Sequence, residues 1–415
     1  MASINKIWRK LLGVEGIVVE GWDFDEVNAA LVVSVRPMKY GRRRCPYCRA
    51  RCGRYDRGSG RRRWRGLDLG TTKLYLEAEA VRVRCPEHGV VVAEVPWARP
   101  ESGFTRAFEE QCAWLAVQTS RTAVAHLMRV AWRSVGRMLT RVADERLVGK
   151  DLLDGLERIG IDELSYRKGH KYVTVVIDHD SGRLVWMAPG RDNATVHAFF
   201  DALGEERSRR LKLVSADAAA WINGVVAERA PQAERCMDPF HVVQWATDAL
   251  DQVRRSVWND LRRHGDAEQA PPLKGARWAM WMNPENLNAT QRTTLSWVAH
   301  LNEPLYRAYL LKEGLRTVFH QKSFRKAKKR LDDWLTWACR CRIEPIVKLS
   351  KTVRRHRDRI EAALRHRLSN AIVEGKNTQL RLLHRTAHGF HDVQAFISLA
   401  MLKLGGLCPP LPGRT

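Results

Sequence analysis

Between Glu157 and Leu184 the chain reads ERIGIDELSYRKGHKYVTVVIDHDSGRL, and no other stretch restricts its architecture as much. Ile159 and Ile161 fill a short apolar strand. Tyr172–Ile177 is rich in β-branched and aromatic residues, His179–Gly182 supplies a turn, and Leu184–Met187 returns. The pattern calls for an antiparallel meander. Asp162 is expected at the C-terminal end of the first strand, where a carboxylate has no packing reason to be. A lone Asp closing a strand into a loop is ordinary turn chemistry. It becomes a site only if further carboxylates arrive beside it.

Two more stand where they can. Ala194–Arg210 reads as a helix bearing Val196, Phe199, Phe200 and Leu203, and the strand LKLVS after it ends at Ala216 and Asp217. In a ribonuclease-H-like order the fourth strand lies beside the first, which would bring Asp217 next to Asp162. A helix over Ala218–Ala230 then leads to CMDPFHVV, with Asp238 and His241 at the start of another helix. His241 can be a buried, satisfied histidine or a working imidazole. The third carboxylate is Glu374, in SNAIVEGKNTQLRLLHRTAHG. It shares a helical face with Asn377, Thr378 and Arg381, while Ile372, Leu380 and Leu383 are available for packing. Ser369 or Asn370 can cap that helix, and Gly389 suits its stop. Glu344 and Glu361 compete for the third position. Glu344 precedes Pro345, which predicts an extended or helix-ending position. Glu361 has Arg357 and Arg365 four residues to either side, the setting of a surface ion pair.

Charge narrows the partner. The net charge of +25 over 415 residues attracts polyanions, nucleic acid first and anionic membrane second. The longest nearly apolar run, Val393–Leu402, is too short to span a bilayer. No N-terminal segment joins a basic start to an apolar core and a small-residue cleavage site. Nine cysteines, four of them clustered early, suit a reducing, intracellular setting with a metal site better than a disulfide framework.

That early cluster is Cys45-Pro-Tyr-Cys48 and, after a strand-like run, Cys85-Pro-Glu-His88-Gly. Two such pairs on turns can place three thiolates and an imidazole tetrahedrally around one structural zinc ion, with Cys52 a competitor for one position. Arg42, Arg43 and Arg44 and then Arg61, Arg62 and Arg63 flank this knuckle, a basic surface suited to phosphate. An amphipathic helix over Ile4–Leu12 and β-like runs at Gly16–Val19 and Ala30–Val35 precede it. The segment Phe104–Arg146 reads as helical throughout. Within it Arg121–Val142 fits two helices joined at Arg129–Trp132, a helix-turn-helix with Arg133, Ser134 and Arg137 exposed on the second. An ordinary αα-hairpin is the other reading. Ala131 stands where a capping Ser or Asp is wanted.

From Val253 to Arg367 the chain is helical, basic and rich in tryptophan. Trp278 with Trp281, and Trp334 with Trp337, share helix faces and are expected in the core. Gln321–Arg330 is a solvated basic run that can track DNA.

Taken in order, CPYC…CPEHG, the helix-turn-helix, IGIDE, VSADAAA, CMDPFHVV and SNAIVEGKNTQLRLLHRTAHGF resemble the bacterial ISL3 family of insertion-sequence transposases, in the DDE superfamily. The resemblance covers nearly the whole chain, and its closing stretch is the most specific part. It places the catalytic carboxylates on Asp162, Asp217 and Glu374, and the acid and histidine of a D-x-x-H element on Asp238 and His241. It implies a multi-domain chain of α+β and α parts: a β-rich zinc-binding, DNA-binding domain over 1–100, a helix-turn-helix over 101–150, and a ribonuclease-H-like core over 151–252. A helical insertion over 253–367 and a C-terminal helical part of the core over 368–415 follow. The activity implied is cleavage and strand transfer of DNA at element ends, with two Mg²⁺ or Mn²⁺ ions about 3.5–4 Å apart. Double-stranded DNA, at element ends and targets, is the implied partner, with at least a homodimer on it and a bacterial cytoplasmic setting. Ala131 departs from relatives that place a small hydroxyl residue there. Two other functions share many of these features: a DNA-binding regulator with an inactive nuclease-like core, and a structure-specific nuclease without strand transfer.

Overall fold

Alternating apolar residues build the first sheet, in which β1 (Ile17–Asp25) pairs antiparallel with β2 (Ala30–Pro37). This computed structural model describes the chain except residues 1–6, 9, 168, 217–218, 265–269, 368–370, 388, 391 and 415, and the side chains of 220, 264, 270, 371, 373 and 374. Of the helix expected at Ile4–Leu12, residues 7, 8 and 10–12 are helical, and the remainder lies outside the described residues. Two compact units divide the chain: Met1–Leu152 with Leu380–Thr415, and Leu153–Gln379.

In the first unit, β3 (Gly53–Asp56), β4 (Arg61–Arg65), β5 (Lys73–Glu79), β6 (Arg82–Cys85) and β7 (Gly89–Val92) complete two sheets. Their orders are β1-β2-β5-β4 and β3-β6-β7. Trp64 and Trp97 meet edge to face at 5.5 Å inside the larger sheet's core. Three helices follow, α1 (Arg106–Gln118), α2 (Arg121–Leu127) and α3 (Trp132–Val148). The segment expected to be helical throughout is therefore broken twice. Ser120 starts α2 by accepting the amide of Ala123, and Arg129 adopts φ 53° in the turn before α3. Arg99, 3% exposed, draws Glu109, Glu110 and Glu145 together, and Arg141 and Ser102 complete the shell of the fully buried Glu109. A buried charge lacking these partners would be strongly destabilising.

The second unit holds a five-stranded mixed sheet. β8 (Arg158–Arg167), β9 (Lys171–Asp178) and β10 (Leu184–Pro189) form the expected meander. After α4 (Asn193–Leu203) and α5 (Glu205–Arg210), β11 (Leu213–Ala216) lies parallel to β8. α6 (Ala220–Arg229) leads to β12 (Glu234–Met237), parallel to β11. The order is β10-β9-β8-β11-β12, with the fourth strand beside the first as expected. Gly204, at φ 83°, splits the single helix expected over Ala194–Arg210. Asp192 caps α4, whose Phe199 and Phe200 are fully buried and contribute about 1.5–3 kcal/mol each relative to exposure.

α7 (Pro239–His264) opens a helical layer of α8 (Ala270–Gly275), α9 (Arg277–Trp281), α10 (Ala289–Leu301) and α11 (Glu303–Val318). It continues through α12 (Phe324–Arg340), α13 (Glu344–Arg355) and α14 (Arg357–His366). One apolar cluster runs through it, with the Trp334 indole donating to Leu311 O at 2.7 Å. Trp278 and Trp337 depart from the expected core position, at 62% and 41% exposed. A residue three positions along a helix is rotated enough to leave a narrow buried seam. Glu344 is also corrected: Pro345 sits in the first turn, so Glu344 begins a helix.

α15 (Ala371–Thr386) contributes its residues up to Gln379 to the second unit. The remainder, with α16 (Val393–Leu404), belongs to the first. There α16 lies along α3, with Ser398 bonded to Thr140 at 3.5 Å.

Candidate functional site

The zinc pair of turns forms as the spacing requires. Cys45 and Cys48 lie in a turn closed by Cys45 N–H to Ala50 O, and Cys85 and His88 lie between β6 and β7, with Gly89 at φ 68°. The four ligand atoms fall within 4.8 Å of one another. Sulfur to sulfur, Cys48 and Cys85 are 3.6 Å apart, and His88 Nδ1 is 3.7 Å from Cys45 Sγ and 3.6 Å from Cys85 Sγ. A tetrahedron with Zn–S bonds of about 2.3 Å has edges of about 3.7 Å, so the donor set fits one zinc ion. His88, hydrogen-bonded to Cys85, holds that thiol down at about 6, which favours the ligating thiolate. Cys52 turns instead to Ala50 O at 3.4 Å and is outside this group.

The flanking arginines have work inside the domain. Arg61 pairs with Glu77 at 2.7 Å, Arg63 pairs with Asp25 and Glu77, and Arg62 donates to Ser102 O and lies over Trp64. Arg63 holds the Asp25 carboxyl down at about 2. Arg42 and Arg44 donate to Pro37 O and Arg49 O, while Arg43 is exposed at φ 57°. Ordering the loops and presenting a basic face are compatible uses of one guanidinium.

On α3, Arg133 and Arg137 are exposed and Ser134 is half-buried, short of the exposure expected for it. Ala131 gives α3 no side-chain cap, and the first residue of the helix is packed under a buried arginine. Arg121, 4% exposed, lies 3.8 Å over the Trp132 ring, a cation–π contact worth up to about 2 kcal/mol when desolvated. Its guanidinium fills the space beside Gly136, where a Cβ would come within 2.8 Å.

Asp162 is not at a strand end. β8 runs five residues past it because the ladder with β9 continues through Glu163↔Thr174 and Ser165↔Tyr172, whatever the polarity of those side chains. It is half-buried on the central strand. Its Oδ1 accepts the Glu163 amide at 2.7 Å, and its Oδ2 accepts the side-chain amide of Asn377 from α15. Asn377 is 4% exposed, and its own Oδ1 is buried with no hydrogen-bond partner among the described residues. Asp217 lies outside the described residues. β11 stops at Ala216, and its Ser215 pairs with Gly160, two residues before Asp162. The backbone of Glu374 is in α15, and its side chain is outside the described set.

Asp238 and His241 are joined. Asp238, 6% exposed, accepts the Phe240 amide at 2.8 Å and His241 Nδ1 at 2.9 Å, and its own N–H donates to Ala216 O. A carboxylate only accepts, so Nδ1 carries the proton and the ring is held in one orientation. His241 is therefore a half-buried imidazole paired to an acid. The Asn377–Asp162 bond was not foreseen from the sequence, where the Glu-x-x-Asn spacing gave a shared helical face but no partner.

Residues 159–400 match the transposase domain of the ISL3 family, residues 93–143 its helix-turn-helix domain, and residues 41–88 the zinc-finger of transposases IS204/IS1001/IS1096/IS1165. The chain belongs to the ISL3 family of transposases. It is 51% identical over 433 residues to the transposase for insertion sequence element IS1557 of Mycobacterium tuberculosis, covering 99% of this chain and 97% of the relative. The transposase for IS1001 of Bordetella parapertussis is 28% identical over 354 residues, 85% of this chain and 86% of its own. This transposase is thus a DDE-family DNA phosphoryl-transfer enzyme. The helix-turn-helix and transposase domains imply DNA binding. No helix among the described residues is long and apolar enough to cross a membrane.

Proposed function

We propose that the transposase binds the terminal inverted repeats of its insertion sequence and catalyses divalent-metal-dependent strand cleavage and strand transfer. The observation that supports this most is the Asn377 amide on Asp162. Glu374 precedes Asn377 by three residues on α15, so the two share a helical face. The helix bearing the third carboxylate is thereby anchored to the strand bearing the first. The order β10-β9-β8-β11-β12 is ribonuclease-H-like, and β11, which ends just before Asp217, adjoins β8.

Asp162, Asp217 and Glu374 would hold two Mg²⁺ or Mn²⁺ ions, which supply charge neutralisation and an activated attacking oxygen. Asp162 suits this role because two N–H donors fix its carboxylate while the group stays half-buried. The protein's own contribution is positioning, since phosphoryl transfer asks little covalent chemistry of it. Asp238 orients His241 beside the end of β11. The zinc module, with Arg42, Arg43, Arg44, Arg61, Arg62 and Arg63, and the α3 face of Arg133, Ser134 and Arg137 grip the element end. Two ends must be brought together, so the working form is a homodimer or larger on DNA.

Incubation with a labelled element end and Mg²⁺ tests the reading. Cutting plus joining is expected, cutting alone would make it a nuclease, and binding alone a regulator. Asp162→Asn should abolish cutting and leave end binding within about twofold, because it removes charge without removing a DNA-reading module. Cutting at wild-type rate in that variant would reject the assignment.

A further inference from the structure

A cleft of about 750 Å³ opens in the second unit beside the first turn of α7. That volume falls within the roughly 300–1,000 Å³ of small-ligand sites. Three aromatic side chains line it, Phe240, Trp281 and Phe319. Phe240 is 45% exposed although it lies between Asp238 and His241, both held in place by their mutual bond. Its ring meets His241 edge to face at 5.9 Å, and the exposed remainder, at the start of a 26-residue helix, is a surface on which a base can stack.

The polar lining matches the rest of a nucleotide. Asn283 brings a side-chain amide able to read a base edge, and Gln321, whose Nε2 donates to Thr317 O at 2.8 Å, brings a carbonyl acceptor. Lys322 and Arg367 bring cations, and Arg367 is fixed at φ 48° with its guanidinium on Lys322 O. The acid in the lining, Glu285, is matched by Arg316 at 2.9 and 3.1 Å, so the cleft stays positive. Its size admits a single base and excludes a duplex.

We propose that this cleft holds an unpaired nucleotide of the DNA strand, its base drawn out of the duplex and stacked against Phe240. The location gives it a purpose. Asp238 N–H bonds to Ala216 O at 3.1 Å, so the rim of the cleft is fastened to the strand that ends before Asp217. A scissile phosphate in a closed duplex is surrounded by its own stack, and drawing out the neighbouring base frees it to descend toward the carboxylates. Base extrusion is unfavourable by itself, and stacking on a protein aromatic offsets it. The inference rests on reading this unit as the DNA-processing core.

The test is fluorescence anisotropy without added Mg²⁺, using the full chain and two labelled duplexes. One is a fully paired end of the insertion sequence; the other is the same end with four unpaired thymidines. The tailed duplex should bind about tenfold more tightly, the scale of one aromatic–base stack. Phe240→Ala should erase that preference while affinity for the paired end and the melting temperature hold. Lys322→Glu, an exposed position, should cut the preference at least threefold and serves if Phe240→Ala fails to fold. Equal affinity for the two duplexes, or a preference that survives both substitutions, would overturn the proposal. Preference without Mg²⁺-dependent cutting would keep the cleft and reject the chemistry, whereas cutting without preference would do the reverse.

Discussion

Asn377 donates its side-chain amide to Oδ2 of Asp162, a hydrogen bond that spans 215 residues of sequence and ties a helix to the central strand of the sheet. The donor is neutral and the acceptor a carboxylate, so the bond aligns Asp162 without cancelling its charge. A second carboxylate at position 377 would repel it, and an apolar residue would leave the oxygen without this donor.

Asn377→Ala should therefore lower the stability of the second unit by about 1.5–3 kcal/mol, the range for hydrogen bonds to charged groups. It should also reduce cutting of an element end at least tenfold. Urea unfolding followed by tryptophan fluorescence measures the first effect. An unchanged midpoint would show that the bond does not hold α15 in place.

Zinc should be bound at about one ion per chain. Cys48→Ser, or a strong chelator, should release it and weaken binding to element ends, because metal binding is folding energy for a module of this size. Cys52→Ser should keep its zinc, since Cys52 faces Ala50 O. Metal analysis of the three proteins decides this. Zinc lost from Cys52→Ser and kept in Cys48→Ser would reverse the ligand assignment.

What the sequence disclosed followed from spacing. Pairs of ligands with two residues between them, a turn between two β-branched runs, and periodic Val196, Phe199, Phe200 and Leu203 are local patterns, and each took its expected form. The length of β8 was not local. Glu163 and Ser165 have no strand signature, and only the neighbouring β9 makes a strand of them. The same holds for Arg121, whose buried guanidinium packs on Trp132 at the uncapped start of α3, a contact made across two helices. Asn377 stood on the right face in the sequence, yet nothing in the sequence could say that Asp162 was the group it would meet.

His179 gives the second unit a pH dependence. It is buried and bonded through Nε2 to Ser215 Oγ at 2.6 Å. Burial, with Arg158 adding to it, lowers its pKa below the usual 6.5 against the opposing pull of Asp178, Asp180 and Asp238. The folded pKa is depressed, so the unfolded chain binds the proton first. The stabilisation is complete above pH 6.5 and declines as pH falls from there through the folded pKa. His179→Gln, which can still reach Ser215, should flatten the stability profile in that window. Urea midpoints between pH 5 and 7.5 that fall equally in both proteins would remove His179 as the cause.

The proposal of Glu374 as third carboxylate is supported by rivals that are already occupied. Glu344, at the start of α13, is paired with Lys348 at 2.7 Å, and both are exposed. Glu361 accepts Arg357 at 2.6 Å and faces Lys328 at 3.2 Å. Its pKa is lowered because those cations outweigh the burial that would raise it. The second arginine expected for Glu361, Arg365, turns to Glu234 instead. Glu374 is the one of the three whose helix is fastened to Asp162, through Asn377 a turn away. Glu374→Gln should therefore lose cutting as completely as Asp162→Asn, and Glu361→Gln should stay within a few-fold of wild type, because its pairs with Arg357 and Lys328 are no part of the proposed site. Single-turnover cutting of a labelled end compares the three variants directly. Activity retained by Glu374→Gln and lost by Glu361→Gln would transfer the metal-binding role to α14, and the bond between Asn377 and Asp162 would then be a packing device alone.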